Sequence, residues 1–295
     1  MTQTTAIPDA TAGPKVNVAL VQIRVAPPDD VQGQCAHMRE LVLKAVKEGK
    51  DKGNPVNIAV LPLVKLAEPL PQPGAAASSW PDGAYTARQL SAVAKEANIW
   101  IVGASQRWTT KAADTIALLS GLQKYRKTHL FDLCLPKMTY KESDTFSPGQ
   151  SLAMFDTPYG RFGLAICYDL RFAEIATLAA RQGCVGVFYP AAFNTHTGPL
   201  HWQILQQARA LDNQIYIATC SCARDETAKY VIYGHSMSVS PMGAVIATAE
   251  EKETIVHATF DPQVIADTRA GIPLLAQRRF DLYPDIAAVV ANGTA

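Results

Sequence analysis

Two hydrophobic periods take turns along this chain. Short apolar runs that read as buried strands recur from residue 15 to residue 220: KVNVALVQI, NIAVLPL, IWIVGAS, RFGLAICY, VGVFYP and IYIATC. Most are separated by stretches whose apolar residues fall at helical spacing. The first stretch runs from about Asp30 to Lys50, with Met38, Leu41, Leu43 and Val46 marking its face. Further helices are predicted at Tyr85–Ala97, at FAEIATLAARQG with Gly183 as its stop, and at LHWQILQQARALDN. Pro62 is expected to close the second strand, and RFGLAICY to carry its strand as far as Cys167. Between residues 105 and 124 the pattern weakens to short strands at best. Three strands then follow in succession, HSMSVS, AVIATA and TIVHATF, with turns at Pro241–Gly243 and Glu250–Glu253 and a short helix near Pro262–Ala270.

Alternating strands and helices, with consecutive strands late, predict an α/β layered fold with antiparallel additions. No repeat or linker divides the pattern, so one domain is expected over residues 15–285. Residues 1–14 and 286–295 read as tails, and the Pro-, Gly-, Ala- and Ser-rich run from Pro69 to Gly83 as an exposed loop.

Charge narrows the function. Among 295 residues, 27 Lys plus Arg against 26 Asp plus Glu leave +1, which provides no electrostatic footprint for nucleic acid or an anionic membrane. The chain is 48% apolar and 18% charged, enough to bury a large core. No apolar run reaches the ~18 residues of a membrane span. The N-terminus lacks an apolar secretory segment and also lacks arginine, which weakens a mitochondrial reading without removing it. Six cysteines without framework spacing fit free thiols in a reducing cytoplasm. Phosphate-loop, dinucleotide, HExxH and GxSxG motifs are missing, and Cys220 and Cys222 find no second pair to complete a zinc site.

Cys167 stands apart by position. It falls where an open α/β sheet binds ligands, beyond the carboxyl end of a strand and just before a helix. A helix N-terminus and a nearby cation would lower its pKa toward the thiolate. Spacing alone fits a small core hydrophobe equally well. Lys127 lies in KYRKTHLFD, where Lys124, Arg126 and Lys127 could form a solvated face, and Glu142 in YKESDTFSPG is by itself an ordinary loop carboxylate.

Together KYRKTHLFD, KESDTFSPG, FDTPYGRFGLAICYDLRFAEI, PAAFNTHTGPLHWQILQQARALDNQIYIAT and YGHSMSVSPMG resemble the nitrilase superfamily of carbon–nitrogen hydrolases. CYDLRFAE, TGPLHW and LLAQRRFDLY are similar to its ω-amidase branch. The likeness is dense from Lys124 to Tyr283 and fainter from Val16 to Gln123. It implies an α-β-β-α sandwich that pairs into a homodimer through its helical face. It also implies a Glu–Lys–Cys triad and no cofactor. By these motifs the nucleophile falls on Cys167, the lysine on Lys127 and a second active-site glutamate on Glu142. The substrate implied is the mono-amide of a small dicarboxylate, of the 2-oxoglutaramate or succinamate type, with its distal carboxylate held by Arg171 and Thr197. Arg171 could instead form an ion pair with Asp169 or Glu174.

The first half of the chain departs from the family pattern. The family's base glutamate follows a strand in the run VLPE, whereas this chain has Val60-Leu61-Pro62-Leu63. Leu63 can neither accept a proton nor orient water, and the next carboxylate is Glu68. The loop that follows does not match either, and the hairpin DTIALLSGLQKYRK is shortened. Losing a positioned base costs about 10²–10⁴ in rate. Three outcomes therefore stay open: a slow amidase with Glu142 or a re-routed Glu68 as its base, an inactive homologue that binds a carboxylate ligand or pairs with an active relative, and a chain whose function has drifted. A deaminated-glutathione amidase is the enzymatic runner-up, disfavoured by Phe172-Ala173-Glu174.

Overall fold

The structure is a computed structural model that describes residues 10–11, 13–65, 85–107, 114–119, 123–135 and 138–282. Most of the expected N-terminal tail, the expected C-terminal tail, the Pro69–Gly83 loop and Glu68 lie outside the described residues.

Two six-stranded sheets pack face to face. The first is built from β1 (Val16–Gln22), β2 (Ile58–Lys65), β3 (Trp100–Arg107), β4 (Asp114–Leu119), β5 (Gln123–Arg126) and β14 (Thr254–Phe260), in the order β14-β1-β2-β3-β4-β5. The second takes β8 (Ala153–Thr157), β9 (Gly160–Leu164), β10 (Cys184–Ala191), β11 (Tyr216–Ser221), β12 (Met237–Val239) and β13 (Val245–Thr248), in the order β13-β12-β11-β10-β9-β8. Each sheet has three parallel strands at its centre and antiparallel strands outside them. Helices α1 (Val31–Asp51) and α2 (Tyr85–Ala97) cover the first sheet, and α3 (Ala173–Arg181) and α4 (Gly198–Asn213) the second. The result is the α-β-β-α sandwich that the resemblance implies. The hairpin β6 (Asp132–Leu135) and β7 (Met138–Lys141) stands apart from both sheets, and α5 (Pro262–Gly271) and α6 (Leu274–Gln277) follow β14.

The strands carry near-continuous apolar sequence because both of their faces are buried. Val16, Val18 and Leu20 of β1 enter the core between the sheets, where Phe155, Phe162, Phe188, Tyr216 and Phe260 pack ring to ring. Ala19 and Val21, on the other face, meet Met38, Leu41 and Val42 of α1.

Two strand ends differ from expectation. Pro62 does not close β2, which runs on to Lys65. Val60 pairs with Val102 and Leu63 with Ala104, so Leu61 and Pro62 together stand opposite Gly103. Proline has no N–H to give the ladder, and the strand accommodates it as a bulge. The extra residue resets the alternation: Ile58, Val60 and Leu63 belong to the core between the sheets, and Ala59, Leu61 and Val64 to the helix-side core. At the other end, β9 stops at Leu164, and Cys167 opens a separate 3-10 turn, Cys167–Arg171. The weakly patterned segment forms regular β4 and β5, whose ladder on β3 supplies what side-chain alternation does not show.

Candidate active site

The carboxyl ends of the parallel strands β1, β2, β9, β10 and β11 open into one cleft of about 1370 Å³. Leu63, Lys127, Glu142, Cys167, Arg171 and Thr197 all line it. Six positions spread over 135 residues of sequence thus converge on the switch region where α/β folds bind ligands.

Cys167 is held in a left-handed backbone conformation, φ +47°. Non-glycine residues adopt that region at a cost of about 1–3 kcal/mol, and such strain concentrates at functional sites. It lets the chain turn sharply from the extended Ile166 into the 3-10 turn, presenting the sulfur at the cleft. The Ala192 N–H donates to Sγ at 3.5 Å. The thiol pKa is not lowered, as position alone suggested, but raised. Burial is the largest cause, Lys127 and the Ala192 N–H pull downward, and Glu142 and Asp169 add to the rise.

Lys127 is not a solvated lysine. It is 2% exposed, and its Nζ donates to Glu142 Oε2 at 2.5 Å. Glu142, following β7, is equally buried and accepts the Phe131 N–H on the same oxygen at 2.6 Å. A buried ammonium beside a buried carboxylate is the pairing that keeps both charged. Of the three ammonium hydrogens Glu142 takes one, leaving others for a ligand.

Asp169, two residues after the sulfur, is fully buried and ties this machinery together. Its carboxylate accepts from Tyr125 Oη at 2.8 Å, the Ile166 N–H at 2.9 Å, the His129 N–H at 3.0 Å, His129 Nδ1 at 2.9 Å and Thr128 Oγ1 at 3.2 Å. Residues on both sides of Lys127 are thereby fastened to the turn that carries Cys167. Sequence reading gave Asp169 only as a possible mate for Arg171; its partners stand about 40 residues upstream, and no local spacing marks them. Arg209 of α4 holds the other end of the turn, donating to the carbonyls of Leu170 and Arg171 at 3.0 and 2.8 Å.

Arg171 makes neither expected ion pair. Among the described residues no carboxylate lies within salt-bridge distance of it. Its guanidinium lies 4.7 Å from the Phe193 ring centroid and 5.7 Å from that of Tyr168, and Nη1 donates to His201 Nδ1 at 3.1 Å. Partial burial lowers its pKa. His201 must be neutral at Nδ1 to accept that bond, in keeping with its own lowered pKa, caused by desolvation and then by Arg171. Thr197 precedes α4 as its cap, and its hydroxyl donates to Asn194 Oδ1 at 3.0 Å. Binding a carboxylate there requires that hydrogen to rotate away.

Leu63 is buried, 7% exposed, on the cleft side of β2, and its carbonyl accepts the Cys222 thiol at 3.3 Å. The Pro62 bulge aims this position into the site, and the side chain there is apolar. Tyr140 and Tyr230 complete the wall; burial raises the pKa of both.

A layered α/β sandwich with a cysteine, a lysine and a glutamate in one cleft defines a carbon–nitrogen hydrolase, and the chain belongs to that family, whose model matches residues 17–270. Particular relatives narrow the likeness. The chain is 41% identical over 280 residues to omega-amidase NIT2 of Homo sapiens, a match covering 90% of this chain and 96% of that protein. Omega-amidase NIT2 of Bos taurus is 50% identical over 203 residues, 66% of this chain and 74% of that one. Among solved structures, Saccharomyces cerevisiae Nit3, a member of branch 10 of the nitrilase superfamily, superposes with a TM-score of 0.76 at 34% identity, covering 92% of this chain and 99% of its own.

Proposed function

We propose that the protein cleaves the ω-amide of a small dicarboxylic acid, of the succinamate or 2-oxoglutaramate type, through a thioester on Cys167. The observation that carries this reading is Arg171: a guanidinium without a carboxylate partner among the described residues, in the same cleft as a thiol and a buried ammonium. A planar guanidinium suits a carboxylate bidentately, and Thr197 lines the same cleft. The distal carboxylate is held there while the amide carbonyl meets the sulfur. Attack converts the carbonyl into a tetrahedral oxyanion, which Lys127 stabilises; Glu142 keeps that ammonium charged and aimed. Collapse releases ammonia and leaves the acyl group on sulfur. Relatives named omega-amidase support the substrate class.

Leu63 favours a second reading, a non-catalytic protein that binds short dicarboxylates in the same cleft. The two readings separate in one assay. Purified protein given succinamate should release ammonia, and Cys167→Ser should abolish the release. Silence across a panel of such amides, together with thermal stabilisation by succinate, selects the binding protein instead.

We also propose a homodimer that buries the outer faces of α3 and α4, where Leu178, Leu200, Ile204 and Leu211 are exposed. A cytoplasmic setting suits the six free cysteines.

A further inference from the structure

We propose that this chain divides its two half-reactions unequally: it acylates Cys167 and then stalls, holding the thioester because Leu63 lines the cleft in place of a base and no described residue there is left unpartnered to activate water. The inference rests on the amidase reading above and adds to it which step fails.

Among the described residues, the groups of the cleft that could take a proton from water each hold a partner already. Asp30 caps α1, accepting the Gly33 N–H at 2.9 Å. Glu142 carries Lys127 and the Phe131 N–H on one oxygen. Asp225 accepts the N–H and the hydroxyl of Thr227 at 2.9 and 2.6 Å. Glu226 lies 3.5 Å from Arg224. His37 is bound through Nε2 to Glu253 at 2.7 Å. Tyr140 and Tyr230 have raised pKa values and stay protonated. Leu63 contributes an isobutyl group to the wall.

That arrangement does not impede both steps alike. A thiol ionises unaided near pH ~8.5 and water only near ~15.7. Burial lifts the Cys167 thiol, yet Lys127 and the Ala192 N–H oppose the lift. The thiol remains by far the stronger acid of the two, so the minor thiolate fraction that forms without a base attacks, aided by Lys127 and the Ala192 N–H. In the acylation step the S–C bond forms and the C–N bond breaks. The thiol proton leaves to solvent, the departing nitrogen takes one back by way of the Lys127 ammonium, and ammonia leaves. The second step requires a water proton to be removed as water adds to the thioester, and an apolar Leu63 beside a carboxylate that already holds the Lys127 ammonium removes it slowly. Redox balance is untouched, since the product before hydrolysis is an acyl-enzyme and ammonia only.

The experiment mixes the full-length protein with excess succinamate, follows ammonia, and weighs the intact protein. The expected result is a burst of about one ammonia per chain, a mass gain of one succinyl group that is lost in Cys167→Ala, and near-zero release afterwards. Hydroxylamine, a nucleophile that needs no base, should clear the adduct as a hydroxamate and restore the free-thiol mass. Leu63→Glu should convert the burst into sustained release. Sustained release by the parent with no adduct overturns the stall and leaves the amidase reading standing. Absence of both ammonia and adduct overturns the two together.

Discussion

A cysteine at φ +47°, a lysine that is 2% exposed and a leucine where a carboxylate would be useful set the chemistry at the scale of single residues. The thiol carries a raised pKa, so its thiolate is scarce at neutral pH. Alkylation of Cys167 by iodoacetamide should accelerate with rising pH and still be climbing above pH ~8.5, the value for an unperturbed thiol. Lys127→Met removes the main opposing influence and should displace that profile to higher pH. A profile already level at neutral pH would show that something else holds a thiolate. The same substitution removes the proposed oxyanion donor, and the rate of the first ammonia release should fall about 10²–10³-fold. That Cys167, Lys127 and Glu142 would share one cleft was legible in the sequence because each sits inside a long motif. The raised thiol pKa was not. It follows from burial among residues of several strands, whereas the sequence shows only the favourable neighbour.

At the scale of elements, the site is a set of strand ends joined by short, tightly held connections. Gly149 shows how tightly. Its N–H donates to the Lys127 carbonyl at 2.8 Å, and a Cβ added there would lie 2.2 Å from the Arg126 carbonyl oxygen. Backbone, not a flexible side chain, would have to move, and it is the backbone that carries Lys127. Gly149→Ala should therefore cost about 1–3 kcal/mol in urea unfolding and slow the first ammonia release beyond what the remaining folded fraction explains. Unchanged activity at reduced stability would separate this connection from the chemistry. The β2 bulge belongs to the same scale. Pro62 was legible as an interruption, but whether a proline ends a strand or bulges it depends on the neighbours that pair on either side. Here β1 and β3 hold the strand, and the bulge decides that Leu63, not Val64, faces the site.

Across the whole molecule, one carboxylate joins parts that the sheets bring together. Asp169 accepts from residues around Lys127 and from the Ile166 N–H just before the Cys167 turn, so it fastens the two segments to each other. Asp169→Asn replaces an acceptor with a donor among donors. It should cost about 1–3 kcal/mol for each group left unsatisfied, lowering the urea midpoint as well as the rate; an unaltered midpoint would mean the network is incidental. The alternation of strands and helices made the layered fold readable from sequence, since both faces of each central strand are buried and each helix has one apolar face. The network was not readable, because its partners are close only after the two sheets have packed. The outer face of α4 is the other whole-molecule feature. Ile204→Lys places a charge on the exposed apolar stripe and should shift a dimer to a monomer in sedimentation, whereas a sedimentation pattern identical to the parent's would exclude that face.

The central claim is that one molecule spans the sulfur of Cys167 and the guanidinium of Arg171. The most direct test compares initial ammonia release from succinamate with that from butyramide, its uncharged counterpart, in the parent and in Arg171→Met. The account predicts a strong preference for the anionic amide in the parent, carried by the substrate concentration that half-saturates the initial release, that disappears in the variant while the butyramide rate stays level. Equal rates on the two amides in the parent, or a preference that survives loss of the guanidinium, would contradict it.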